Sequence, residues 1–357
     1  MSNLPPSGEI PRGAIRFNTD SNKPELWDGS QWAEFQLSTP NLGRSVDTQP
    51  GARGILAGGY VAPTNTVKTS YINISSAGDS QDFGDLAKAL RYQAGCSSST
   101  RGITFAGYAT PGNTYESAIY KTTIASTGSH ASFGDVLIGG TAAGPLGHGS
   151  FSNQTRAFMF SGTAPNNGGQ LPTMKYVTIA SEGNTVDFGD MTYNYRYGSA
   201  TGSKTRAMPM GGYDGSGASN VINVITMSTT GDAQDFGDLR ETMSDGMGTT
   251  TNGTRSLVHT RNAGYTDVAL DSYSPISGGI TISFGNLSFA RQFSPMNSCL
   301  SSPTRGVFPG GIVSPGAATS GVIDYVEFAT EGNAVDFGDM HTASGAGSYF
   351  SNAHGGL

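Results

Sequence analysis

The sequence predicts an all-β fold: a six-bladed β-propeller over residues 41–357, preceded by a small β-meander over residues 1–40. Three observations carry the expectation. The tetrapeptide Asp-Phe-Gly-Asp or a close variant recurs six times, with its ring at Phe83, Phe133, Phe188, Phe236, Phe284 and Phe337. An arginine that opens an apolar stretch recurs in step, at Arg53, Arg101, Arg156, Arg206, Arg255 and Arg305, every 48 to 55 residues. The chain also holds 52 glycines and only 13% charged residues, a composition of short strands joined by tight turns.

The first 40 residues lie outside the repeat and contain both tryptophans. The segment from Gly13 to Phe35 alternates apolar and polar residues around two turns, one near Asp20–Lys23 and one at Asp28-Gly29. This reads as three antiparallel strands. A sheet that small is marginal alone, so its aromatic residues Phe17, Trp27, Trp32 and Phe35 are expected to form an assembly interface.

Each repeat then follows one order. The arginine begins a buried strand that often ends in Gly-Gly, as in "RGILAGGY". A variable Pro/Gly/Asn loop follows, then an alternating strand such as "MKYVTIAS". A Gly-Asx turn such as "EGNT" is read as a tight hairpin into the Phe-Gly-Asp strand. A Ser/Thr/Gly-rich stretch returns to the next arginine as a weaker fourth strand. Four strands and Gly-Gly after the first make the unit kelch-like, and repetition should bring the two ends together, because closure removes exposed sheet edges. The tail "YFSNAHGGL" resembles the stretch before Arg156 and is expected to supply the closing strand. The fifth repeat departs from the pattern, since "SLVHTRN" lacks Gly-Gly and Asn286 replaces the motif's last aspartate.

The formal charge of −7 argues against a nucleic-acid partner. No signal-peptide-like or membrane-spanning apolar run is present, so synthesis in a cytoplasm and no membrane insertion are expected. Cys96 and Cys299 read as free core residues rather than a bridge.

Six copies of the motif require something needed once per repeat. Kinase-type chemistry needs a phosphate loop, a pairing lysine and a catalytic-loop aspartate, none of which accompanies any copy. The expectation is structural: phenylalanine fills the space between neighbouring units and glycine allows close backbone approach. The last aspartate (Asp85, Asp135, Asp190, Asp238 and Asp339) latches to the repeated arginine. A ring of six arginines binding an anion is the functional alternative. No cofactor is expected. Calcium is the one ion considered, at the recurring Asx residues Asp79, Asp82, Asp85 and their counterparts. The five histidines are scattered, no nucleophile elbow is present, and the chain is not expected to be an enzyme. Binding residues are expected on the variable loops 165–170, 214–220 and 262–267.

The pattern "GAIRFNTDSNKPELWDGSQW" resembles a small module of bacteriophage virion proteins, notably tail fibres and other appendages. The units with "RG-apolar-GG" and "GDxxDFGDL" are similar to those of tail-fibre and structural proteins of marine and cyanobacterial phages. The resemblance implies a multi-copy virion protein, made in the host cytoplasm, whose partners are other virion proteins and a host-surface glycan or protein. A lectin or glycosidase propeller and a capsid decoration protein are the alternatives.

Overall fold

Alternating sequence becomes strands with one buried face, interrupted where a bulge turns two adjacent residues inward. The segment Lys68–Asn73, KTSYIN, runs from an exposed lysine through buried Thr69, Ser70 and Ile72. The strands that open each repeat are buried throughout or nearly so, as in Arg53–Ala57, which fits their unbroken apolar sequences. The structure, a computed structural model, describes residues 10–18, 23–34, 53–112, 114–164, 169–259, 267–293, 297–313 and 318–357. These residues are all-β, with no helix among them. The chain divides into two compact units, Met1–Val46 and Asp47–Leu357.

In the first unit, strands β1 (Ile15–Asn18), β2 (Lys23–Trp27) and β3 (Trp32–Glu34) form the expected antiparallel meander in the order β1-β2-β3. The Asp28 carboxylate accepts the amides of Ser30 and Gln31 at 2.7 and 2.8 Å. Those bonds hold its pKa down at about 2. Gly29 takes the φ of +103° that the β2–β3 turn demands.

In the second unit the described residues form three two-stranded ribbons and six sheets of four main antiparallel strands, numbered 1 to 6 by their second strands Arg53–Ala57, Arg101–Ala109, Arg156–Thr163, Arg206–Met210, Ser256–His259 and Arg305–Pro309. Sheet 2 shows the order: Ala94–Ser97, Arg101–Ala109, Thr114–Thr123 and Ala131–Asp135. The arginine strand is always second and the Phe-Gly-Asp strand always last. Sheet 1 takes its first strand from the chain's end: Ser348–Ser351 pairs with Arg53–Ala57, matching Tyr349 to Leu56 and Phe350 to Ile55. The pairing expected of the tail is present. Sheet 5 adds a short parallel strand, Asn297–Ser298, against Gly248 and Thr249.

The Ser/Thr-rich first strands pack against one another from sheet to sheet without a continuous backbone ladder, and hydroxyl groups take its place. Ser150 Oγ donates to Gly95 O at 2.9 Å and Ser152 Oγ to Ser97 O at 2.8 Å. Thr249 and Thr251 donate to Ala200 O and Gly202 O, and Ser351 to Ser301 O at 2.6 Å. Ser97 Oγ returns the bond to Ser351 O at 2.7 Å. Buried backbone acceptors must be satisfied, and short hydroxyl side chains do so while letting the strands approach closely.

Apolar clusters fill the space between consecutive sheets. Phe133 lies with Phe105 and Ile119 of its own sheet and Met159, Val177 and Ile179 of the next. Phe337 of sheet 6 lies with Leu56, Ile72 and Ile74 of sheet 1. Cys96 and Cys299 are buried in these clusters as thiols, not bridged to each other.

Candidate functional site

The six copies of the motif form joints between sheets. Gly128 N donates to Phe83 O at 2.8 Å and His130 N to Asp85 O at 3.0 Å, tying the sheet 2 turn to the sheet 1 motif. The same pair of bonds joins Gly183 and Thr185 to Phe133 and Asp135, Gly231 and Ala233 to Phe188 and Asp190, and Gly332 and Ala334 to Phe284 and Asn286. Gly78 N and Ser80 N of sheet 1 complete the series on Phe337 O and Asp339 O of sheet 6, at 2.7 and 2.8 Å. The motif glycine sits beneath each turn: a Cβ on Gly84, at φ +149°, would lie 2.5 Å from Gly128 O. The Gly-Asx segment therefore does not close a tight hairpin as expected. It spans the residues between Asn73 and Gln81 in sheet 1, and spends its amides on the neighbouring sheet.

A side chain completes most joints. The amides of Asp135, Asp190, Asn286 and Asp339 donate to Oδ1 of Asn184, Asp232, Asn333 and Asp79, at 2.9 to 3.1 Å. The joint uses the backbone amide at this position, so Asn286 completes it as the aspartates do, and its Nδ2 adds a bond to Asn333 Oδ1 at 3.3 Å. Two joints differ: between sheets 1 and 2 Ser129 stands in place of the Asx residue, and between sheets 4 and 5 Ile280 does and is 64% exposed. There Thr281 N bonds Asp238 O at 3.1 Å and Thr281 Oγ1 accepts Arg240 N at 2.9 Å.

The ion pair expected between each repeated arginine and each motif aspartate is not the latch. Register separates them: Arg101 stands opposite Thr123 and Asp135 opposite Ala118, five residues along one strand, or roughly 17 Å. Each arginine instead reaches a backbone carbonyl of the next sheet. Nη1 of Arg53, Arg101, Arg156, Arg206, Arg255 and Arg305 donates to O of Ile124, Ile179, Met227, Ile276, Phe328 and Ile74, at 2.8 to 3.2 Å. The guanidinium groups of Arg53, Arg156 and Arg305 also lie 4.3 to 4.7 Å above the rings of Tyr71, Tyr176 and Tyr325. Among the motif aspartates, Asp85 pairs with exposed Lys68 at 3.0 Å and Asp135 accepts Ser117 Oγ at 2.8 Å.

No group of three potential metal ligands (His, Cys, Asp or Glu) converges among the described residues. His148 and His259 are fully buried, and burial pushes both imidazoles down to about 4. His354 of the tail accepts or donates at Ser152 Oγ, 3.2 Å away, and lies 2.7 Å from Ser97 O.

In the first unit Phe17 is 59% exposed and Ile15 is 68% exposed. Trp27 corrects the expectation: it is buried, its ring 5.4 Å from that of Trp32, so it serves the module's own packing. Arg16 covers the Trp32 ring at 4.2 Å and pairs with Glu25 at 2.6 Å. Phe35 lies outside the described residues.

The feature that sequence reasoning passed over is a pair of tyrosine-walled arginines. Arg91, on the short strand Leu90–Arg91, pairs with Tyr108 through the backbone. Its guanidinium carbon lies 5.2, 5.0 and 5.2 Å from the rings of Tyr60, Tyr92 and Tyr108. Tyr115 packs edge-on to Tyr108, their ring centroids 5.7 Å apart. Arg196 repeats the arrangement: its backbone bonds both ways with Tyr213, and its guanidinium faces Tyr197 and Tyr213 at 4.9 and 5.1 Å. All these side chains are partly exposed. Nε of both arginines is buried without a hydrogen-bond partner. Arg101 and Tyr108 stand seven residues apart on one strand, roughly 23 Å, so this site lies at the opposite end of the sheet from the repeated arginines. The available signal was the Arg-Tyr doublet at 91–92 and 196–197, together with a tyrosine directly after Gly-Gly at Tyr60 and Tyr213.

A second opening lies where the ring over the repeated arginine is missing. At the position of Tyr71, Tyr176 and Tyr325, sheets 2, 4 and 5 carry Lys121, Val224 and Ser272, and beside Val224 lies a cleft of about 380 Å³ lined by Arg206, Val224, Asp232, Gln234, Asp235 and Phe236. Of the variable loops, 214–220 is built on Asp214, whose carboxylate caps Ser216 and Gly217 at 2.8 Å. Loops 165–170 and 262–267 fall largely outside the described residues. No protein-family model and no curated protein matches this chain.

Proposed function

We propose that the chain is a non-enzymatic, multi-copy virion protein: a six-bladed kelch-like β-propeller that displays binding residues, carried by an N-terminal assembly module. The observation that carries the propeller is the direction of the joints. Each sheet bonds to the next through the motif and through the arginine, and both series run from sheet 6 back to sheet 1. The polar groups repeated in every unit are spent on these joints, so they supply a scaffold rather than a reaction. What varies from unit to unit, the tyrosine-walled arginines and the loops beside them, stands at the other end of the sheets. Rigid display in many copies gives avidity without tight single-site binding. The virion context rests on the resemblance of roughly residues 12–35 and of the repeat to tail-fibre and appendage proteins. The partners are then neighbouring virion proteins and a host-surface glycan or protein.

Deleting residues 1–46 tests the division of labour. The expected protein keeps a cooperative unfolding transition but fails to enter particles when it complements a phage lacking the full-length chain. Normal incorporation would remove the assembly role, and an unfolded truncation would show that the module is part of the propeller's core. A density map of the particle then separates a tail appendage from a capsid decoration.

A further inference from the structure

An arginine in a folded protein ordinarily spends its donors on carboxylates or carbonyls, as all six repeated arginines here do. Arg91 and Arg196 do neither. No side-chain hydrogen bond or ion pair joins either guanidinium to the described residues, and Nε of each is buried without a partner. Each is held instead by tyrosine rings and by a backbone bridge to one of those tyrosines. The arrangement fixes a planar cation and leaves its outward donors unused.

The backbone pays for this placement. In five of the sheets the residue two positions before the first strand takes a left-handed conformation, and small residues fill it at Gly147 (φ +81°), Gly246 (φ +76°) and the fully buried Ala346 (φ +58°). In the two arginine sites it is Tyr92 at φ +58° and Tyr197 at φ +65°. A tyrosine there carries a strain that glycine avoids. Strained residues that a fold retains at partly exposed positions mark sites of use.

We propose that Arg91 and Arg196 are the centres of two related subsites for an acidic saccharide, the second with two rings and with its Tyr213 hydroxyl donating to Gly215 O at 3.0 Å. The guanidinium takes the sugar carboxylate through paired N–H donors, and the flanking rings pack on the pyranose. The hydroxyls of Tyr60 and Tyr108, which make no hydrogen bond to the described residues, meet its hydroxyl groups. A single cation with aromatic walls suits a monovalent carboxylate on a flat body. A phosphate site would gather several N–H donors or further cations, and neither is present at Arg91 among the described residues. The formal charge of −7 opposes an anionic ligand at long range, but at physiological salt that field is screened beyond roughly 8 Å. Recognition is therefore a short-range matter of stacking and paired hydrogen bonds. The inference uses the display reading only to say why such a site would be present; it is tested on the isolated protein, whereas that reading is tested on the particle.

The full-length protein is titrated at 0.15 M salt by calorimetry with tetragalacturonate, a chondroitin tetrasaccharide and an α2,8-linked sialic acid tetramer. The expected result is saturable binding of at least one, with two sites per chain and at least tenfold loss on methyl esterification of its carboxylates. Arg91→Ala and Arg196→Ala should each halve the stoichiometry, and the double variant should not bind. Tyr92→Gly should weaken the first site while leaving the unfolding midpoint no lower than before, an effect that a merely structural tyrosine would not produce. The proposal falls if none of the three saccharides binds at millimolar concentration or if the methyl esters bind equally well. It also falls if inorganic phosphate or tetraglutamate binds as tightly, which would reduce the site to a simple anion contact.

Discussion

At the scale of single residues, the motif divides its labour cleanly. Phe188 is buried, with its ring 5.1 Å from Phe158 and 5.9 Å from Tyr176 in edge-to-face contact. Phe188→Ala should lower stability by roughly 3–5 kcal/mol in urea denaturation; a change below about 1 kcal/mol would mean that the neighbouring sheets close over the gap. The side-chain part of the joint is smaller. Asp79 accepts the Asp339 amide at 2.9 Å in an exposed position, so Asp79→Ala should cost about 1 kcal/mol. Asp79→Asn should cost almost nothing, because Asn184 and Asn333 already perform that task in other joints. A large loss with asparagine would show that the charge, not the hydrogen bond, matters.

Among elements, the tail strand carries the most. Ser348–Ser351 supplies the first strand of sheet 1, and its Tyr349 and Phe350 are 1% and 2% exposed. Two such rings bury roughly 150–250 Å² each, or roughly 8–12 kcal/mol at about 25 cal/mol per Å². That is the size of the entire net stability of a typical domain, about 5–15 kcal/mol. A protein ending at residue 347 should therefore show no cooperative unfolding transition by circular dichroism, and an unchanged midpoint would relegate the tail to the periphery. The Arg-Tyr segments at 91–92 and 196–197 belong to this scale too, since a backbone bridge to a neighbouring strand sets where each guanidinium points.

For the molecule as a whole, buried histidines set the acid limit. His130, His148, His259 and His354 are each lowered to about 4 by burial, against an ordinary value of about 6.5. The unfolded chain thus binds more protons than the folded one between those values, so stability is full above pH 6.5 and declines as pH falls toward 4. The thermal midpoint at pH 5 should lie below that at pH 7.5, and replacing His148 with Gln should flatten the slope. A midpoint independent of pH across this window would show that the imidazoles are hydrated.

Much of this was legible in order along the chain, because strand alternation, glycine turns and a period near 50 residues are local properties. They placed the strands, the joint at Phe-Gly-Asp and the pairing of the tail. Tertiary structure decided the partners. Arg101 and Asp135 both act once per repeat, but five residues of register on strand Thr114–Thr123 hold them apart, and spacing in sequence cannot reveal register between strands. Burial of Trp27 likewise depends on which face of a strand meets its neighbour. The arginine site required Tyr60, Arg91, Tyr92 and Tyr108 to meet from different strands and loops. Composition and period determined that this chain builds repeated sheets. Non-local packing alone decided which arginines were left with hydrogen bonds to offer.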